Sequence, residues 1–150
     1  MISKYVLKTR QAIMSMGKMK RKIISSPLSP KPVGPYNQAI LVDRTVYLSG
    51  VLGIDVKTGK LVEGGAVPEA QQVLKNMGHI LKEAGSDYNK VIKTTILLQN
   101  INDFAGINEV YKEYFKENYP ARSTYQVGKL PMGAQVEIEA IAITGEVETI

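Results

Sequence analysis

Two carboxylates and one guanidinium carry most of the chemistry this chain can offer. Glu137 and Glu139 lie two residues apart in an otherwise apolar stretch. Read as a strand, that stretch points both side chains the same way, about 7 Å apart. A buried carboxylate without a partner is costly, so at least one of the two must meet a cation or a ligand. Arg122 directly follows Pro120-Ala121 and opens the preceding strand, where its guanidinium offers a rigid fork to a carboxylate. Either Arg122 and a glutamate form a structural ion pair, or both face a ligand.

Weaker signals surround these groups. Gly34-Pro35-Tyr36 is a turn that presents a phenol, which taken alone is more often a packing group. Ser49-Gly50 ends a strand, and a glycine there either admits a ligand close to the backbone or marks a bulge. Asn108 falls in the first turns of a helix, where a solvated residue is the ordinary reading. The only histidine, His79, lies on the polar side of a helix and is expected to be exposed and non-catalytic. The chain has no cysteine, which excludes disulfides, thiolate nucleophiles and Cys-built metal centres. One histidine cannot make a multi-His metal site within a chain. No GxxxxGK[ST] or GxGxxG pattern is present.

The elements that must hold these groups follow from the hydrophobic pattern. Residues 26–35 hold four prolines and read as an extended, ordered loop. Residues 39–42 and 45–49 form a hairpin across Asp43-Arg44, and 57–60 form a turn. A helix begins near Pro68, with Ala70, Val73, Leu74, Met77, Leu81 and Ala84 at helical spacing and Gly85 as its stop. Residues 91–98 make a buried strand. A second helix begins at Asn102 or Asp103, with Phe104, Ile107, Val110, Tyr111, Tyr114 and Phe115 as its buried stripe, and Pro120 marks its end. Strands over 121–127 and 135–144 finish the chain, and 22–25 reads as an optional further strand. The fold class is α+β: a mixed β-sheet with two helices on one face. The last strand is apolar on both sides, so the uncovered sheet face calls for self-association.

Charge divides the 150 residues unevenly. Lys and Arg number 19 against 14 acids, but residues 1–22 hold seven cations and no acid. The remainder carries 12 cations against 14 acids, a net of −2, so a basic nucleic-acid-binding body is not supported. Residues 1–21 form a basic leader, either a mitochondrial targeting peptide or a disordered tail, or a stretch bypassed by a start at Met19. Residues 22–150 form a single domain. No apolar run approaches the ~20 residues of a membrane helix.

Six segments in order resemble the Rid family, the reactive intermediate imine deaminases, also called the YjgF or endoribonuclease L-PSP family. They are Gly34-Pro35-Tyr36-Asn37-Gln38-Ala39, Tyr47-Leu48-Ser49-Gly50, Val91-Ile92-Lys93-Thr94-Thr95, Ile101-Asn102-Asp103-Phe104 running to Asn108-Glu109-Val110-Tyr111, Tyr119-Pro120-Ala121-Arg122-Ser123, and Val136-Glu137-Ile138-Glu139-Ala140. The resemblance covers about residues 20–147. It implies a chorismate-mutase-like (YjgF-like) fold, homotrimeric, with sites at the subunit interfaces. It implies a hydrolase that converts 2-imino acids and their enamines, such as 2-aminoacrylate, to 2-oxo acids and ammonia, without cofactor or metal. Arg122 matches the arginine that clamps the substrate carboxylate, Glu137 the glutamate that activates water, and Tyr36 the tyrosine on the imine side. Gly50 offers a backbone N–H, and Ser49 and Asn108 line or buttress the cleft. Thr124 stands where many relatives have Cys, leaving its backbone N–H for the substrate carboxylate, and Val51 stands where many have Gln. The alternatives are a ribonuclease or translation inhibitor, and a non-enzymatic trimeric binding or chaperone-like protein. The expected partners are an imino acid and further copies of the chain, not a membrane or nucleic acid, in the cytoplasm or mitochondrion.

Overall fold

A computed structural model describes residues 18–150, and most of the leader expectation lies outside the described residues. The strands are β1 (Arg21–Ile24), β2 (Ala39–Val42), β3 (Thr45–Leu52), β4 (Ile54–Asp55), β5 (Lys60–Leu61), β6 (Val91–Leu98), β7 (Ala121–Gln126) and β8 (Val136–Ile143). The helices are α1 (Ala66–Glu83) and α2 (Phe104–Tyr114). Six strands form one mixed sheet in the order β1-β2-β3-β8-β6-β7, and β4 and β5 make a small ribbon. The optional first strand is therefore real, and it begins at Arg21, inside the basic stretch.

The expected stripe of α1 is buried throughout, from Ala70 to Ala84. Beyond it Gly85 takes φ +76°, a conformation that favours glycine. This lets Gly85 donate to Lys82 and Ser86 donate to Leu81, closing the free carbonyls of the last turn. Helix α2 departs from expectation at both ends. A 3₁₀ turn over Ile101–Asp103 precedes it, capped by the Asn100 side chain, which accepts from the Asn102 amide at 3.0 Å. The helix then ends at Tyr114, well before Pro120. Ile107, Val110 and Tyr111 are buried as expected, but Phe104 is 38% exposed, because the start of α2 overhangs the sheet edge rather than the core. His79 is half-buried, not exposed.

Both helices cover one face of the sheet. Val46, Leu48, Val51, Thr94, Ile96, Leu98, Val136, Ile138, Ala140 and Ala142 point to that face and are buried. The opposite face carries Tyr47, Lys93, Thr95, Glu137, Glu139 and Ile141 by the same alternation. Among the described residues no helix covers it, and Tyr47 and Tyr125 stay half exposed there. No described helix is long and apolar enough to cross a membrane.

Candidate active site: two half-sites on one chain

Glu137 lies near the start of β8, in register with Leu52 on one side and Leu97 on the other. The β3–β8 ladder shifts register between Leu48 and Val51, so Ser49-Gly50 is a bulge. The bulge has a second consequence. A methyl group on Gly50 would overlap the Glu137 carboxylate, so the glycine is the seat on which that carboxylate rests. Glu137 forms no ion pair or hydrogen bond among the described residues. Its pKa is raised, first by burial and then by repulsion from Glu139. Both carboxylates do point to the same side, as their spacing predicts.

A loop folds over this carboxylate and encloses a hollow of about 330 Å³. Tyr36, Ser49, Gly50 and Glu137 line it, with Pro30, Val33, Leu52, Ile54, Ile80 and Met132 supplying apolar wall. The loop is held by Gln38, which is buried. Its amide nitrogen reaches the carbonyls of Ser26, Ser29 and Pro30 at 3.2, 3.1 and 2.7 Å. Its carbonyl oxygen accepts from the Ser26 amide at 2.6 Å. Ser49 completes the seam, donating its hydroxyl to the Asn37 carbonyl at 2.7 Å. That hydroxyl therefore fixes the Tyr36 turn. On the far side, Asn76 of α1 donates to the carbonyls of Leu52 and Ile54. Glu69 accepts from the Gln135 amide at 2.7 Å, anchoring the entry to β8.

Arg122 is elsewhere. It lies on the edge strand β7, in register with Thr94, whose side chain is fully buried beneath the helices. Arg122 thus points to the helix-covered side, and Glu137 to the open side. Its guanidinium sits over two rings of α2, 5.4 Å from the Phe104 centroid and 5.0 Å from that of Tyr111. A depression shared with Asn108, Tyr119 and Pro120 opens beside it. Thr124 lies on the same side of β7, paired with Ile96, and its hydroxyl is buried with no hydrogen-bond partner.

The structure therefore sorts the expected residues into two groups. Tyr36, Ser49, Gly50 and Glu137 share one hollow, while Arg122 and Asn108 share another. An Arg122–Glu ion pair within the chain is absent among the described residues. Gln38, Phe104 and Tyr111 are the supporting residues to which sequence reasoning gave no such role. Gln38 sits inside the Gly34–Ala39 segment, and a polar residue directly before an apolar strand is the available signal. Chemically, the first hollow can activate water and the second can grip an anion. No cluster of three His, Asp or Glu that could hold a metal ion occurs among the described residues.

The family model described as Endoribonuclease L-PSP matches residues 27–144. A human protein, 2-iminobutanoate/2-iminopropanoate deaminase, is 55% identical over 134 residues, covering 89% of this chain and 98% of its own length. A crystal structure of a putative endoribonuclease L-PSP from Entamoeba histolytica superposes with TM-score 0.80 at 44% identity, covering 83% of this chain and 99% of that one. The E. coli protein TdcF, solved with bound serine, superposes with TM-score 0.79 at 37% identity over 83% of this chain and 99% of its own.

Proposed function

This chain belongs to the endoribonuclease L-PSP family, the Rid family of imine deaminases, and from that premise we propose that it hydrolyses 2-imino acids to 2-oxo acids and ammonia. The observation that carries this reading is Glu137, seated on Gly50 in a half-apolar hollow with its pKa raised. A raised pKa makes the carboxylate a stronger base for water, while leaving it able to hold a proton briefly. The 55% identity to the human deaminase supports the same reaction. The serine bound by TdcF, an amino acid with a free α-carboxylate, supports a carboxylate-bearing substrate.

The reaction asks little beyond placement, because an iminium carbon is already electrophilic. Arg122 binds the substrate carboxylate through two N–H donors. Glu137 takes a proton from water as the water oxygen bonds to C2, and the C=N π pair moves to nitrogen. The proton then passes to that nitrogen. The C–N bond breaks, ammonia leaves, and the hydroxyl loses its proton to become the carbonyl of the 2-oxo acid. The Tyr36 hydroxyl lines the imine side. The ribonuclease in the family's description fits less well, since Glu137 and Glu139 together repel a phosphodiester.

One chain cannot bring Arg122 and Glu137 to the same substrate, because they project from opposite sides of the sheet. We therefore propose that each site forms between copies, Arg122 and Asn108 from one and Glu137, Tyr36, Ser49 and Gly50 from its neighbour, in a trimer that covers the open face of the sheet. The test uses an amino-acid oxidase to generate the imine and follows release of 2-oxo acid and ammonia. Arg122→Ala and Glu137→Gln are each expected to abolish acceleration. Mixed after unfolding and refolded together, they are expected to recover about a quarter of wild-type activity, since one interface in four pairs two intact halves. Full inactivity of every mixture, with mixed oligomers verified, rejects the shared site.

A further inference from the structure

We infer that Phe104 and Tyr111 are positioning residues for Arg122, holding the guanidinium between ring faces so that its N–H donors stay free for a carboxylate. The inference rests on the reading of Arg122 as a carboxylate clamp. An arginine on an exposed edge strand needs something to fix it, because its side chain has many rotamers. A carboxylate partner would fix it but would also occupy the fork and cancel the charge. Among the described residues Arg122 has no such partner. It has two aromatic rings within 5.4 Å instead. Ring faces attract a cation without using its hydrogen-bond donors.

The platform is itself rigid. Tyr111 is buried, and its hydroxyl lies 2.9 Å from the Thr94 hydroxyl, the residue paired with Arg122 across the β6–β7 ladder. Its ring stacks on Phe115 at 4.2 Å, and Phe115 meets Tyr88 edge-on at 5.5 Å. Arg122 is thus tied to the core through aromatic contacts rather than through a counter-charge. Phe104 closes the arrangement from the exposed side. Its partial exposure, a cost for an apolar ring, is what lets it reach the edge strand. The capped turn at Asn100–Asn102 fixes where α2 begins, and so where that ring lies.

Phe104 is the residue to test, since its partial exposure makes it tolerant of change. Phe104→Leu keeps apolar bulk and removes the ring. It is expected to weaken binding of 2-oxobutanoate, a non-reacting carboxylate probe, about two- to fivefold, while kcat for imine hydrolysis stays within twofold. Phe104→Trp is expected to restore wild-type affinity. The Arg122 Nε–H resonance, shifted by ring currents in the wild type, is expected to move in Phe104→Leu. Unchanged affinity in Phe104→Leu, equal weakening in Phe104→Trp, or an unmoved Arg122 resonance each overturns the inference. Arg122→Ala serves as the separate control. If it binds 2-oxobutanoate and turns over imines like wild type, the clamp reading fails whatever Phe104 does.

Discussion

Glu137 and Arg122 each carry a charge with no counter-ion among the described residues, and the two faces of the sheet keep them ready by different means. On the open face, backbone shape does the holding. A bulge puts Gly50 under the carboxylate, and Gln38 ties a proline-rich loop across it. The result is a partly desolvated acid whose charge is disfavoured. On the helix-covered face, two aromatic rings hold the guanidinium. One group is held against burial and a like charge, the other against ring faces. Separating them in the chain leaves each group free for the shared site proposed between copies.

The largest expected effects separate the two halves by stability rather than by activity. Glu137→Gln should lower kcat by about 10²–10⁴-fold, the usual worth of a positioned general base. Arg122→Ala should be comparably damaging to kcat/KM. Only one of the two should raise the thermal midpoint. Folding raises the Glu137 pKa, so the native state binds that proton more tightly than the unfolded chain does. Its contribution to stability therefore falls as pH climbs through the raised pKa. Glu137→Gln should melt above wild type at pH 7, with the gap closing as pH drops below the ordinary glutamate range. Arg122→Ala should show no such gain. Equal melting of Glu137→Gln and wild type at pH 7 would remove the claimed cost of that charge.

Gly50→Ala probes the Glu137 half more gently. The added methyl meets the flexible end of Glu137, so the carboxylate can swing aside at little cost to the fold. Displacing a catalytic group by about 1 Å costs about 10²-fold in rate. Activity should fall by that order while the melting midpoint holds within a few degrees. A large drop in midpoint would mean the glycine serves the bulge rather than the carboxylate.

Gln38→Leu should reduce activity roughly tenfold, by loosening the loop that carries Tyr36, and lower stability by about 2–3 kcal/mol. Leucine leaves the Ser26 amide and three carbonyls without their shared partner. Denaturant unfolding measures the stability, and faster proteolysis within 26–35 would report the loop directly.

What could be read from the chain alone follows the range of the interactions involved. Strand β6 has the bounds expected for it, and α1 carries its expected stripe and glycine stop, because both depend on local pattern. The candidate residues were legible too, since charged groups stand out in apolar strands. Their separation was not. Which side Arg122 faces depends on its register with Thr94, set by a parallel pairing between strands joined through α2. Phe104 misled for a related reason. Its helical spacing places it on the core stripe, yet only the placement of α2 over the sheet edge decides whether core or Arg122 lies beneath it. Ser49-Gly50 stayed ambiguous between ligand approach and bulge, and the structure shows the bulge seating a carboxylate.

The smallest effect is also the most selective. Glu139 shares the open face with Glu137 and is the lesser cause of its raised pKa, after burial. As the proposed base, Glu137 must be ionised to work, so kcat/KM should fall on the acid side as pH drops through its raised pKa. Glu139→Gln removes the repulsion, and the acid limb should move to lower pH. Burial remains, so the limb should stay above the ordinary glutamate range. Added salt should act in the same direction in wild type, since it screens a neighbouring charge but does not rehydrate a buried one. In Glu139→Gln that salt sensitivity should shrink. Arg122 offers no such lever, because the rings beside it present no charge for salt to screen. If Glu139→Gln leaves the limb unmoved while salt still shifts it, the charge that acts on Glu137 comes from elsewhere, and a group brought by the neighbouring copy becomes the one to find.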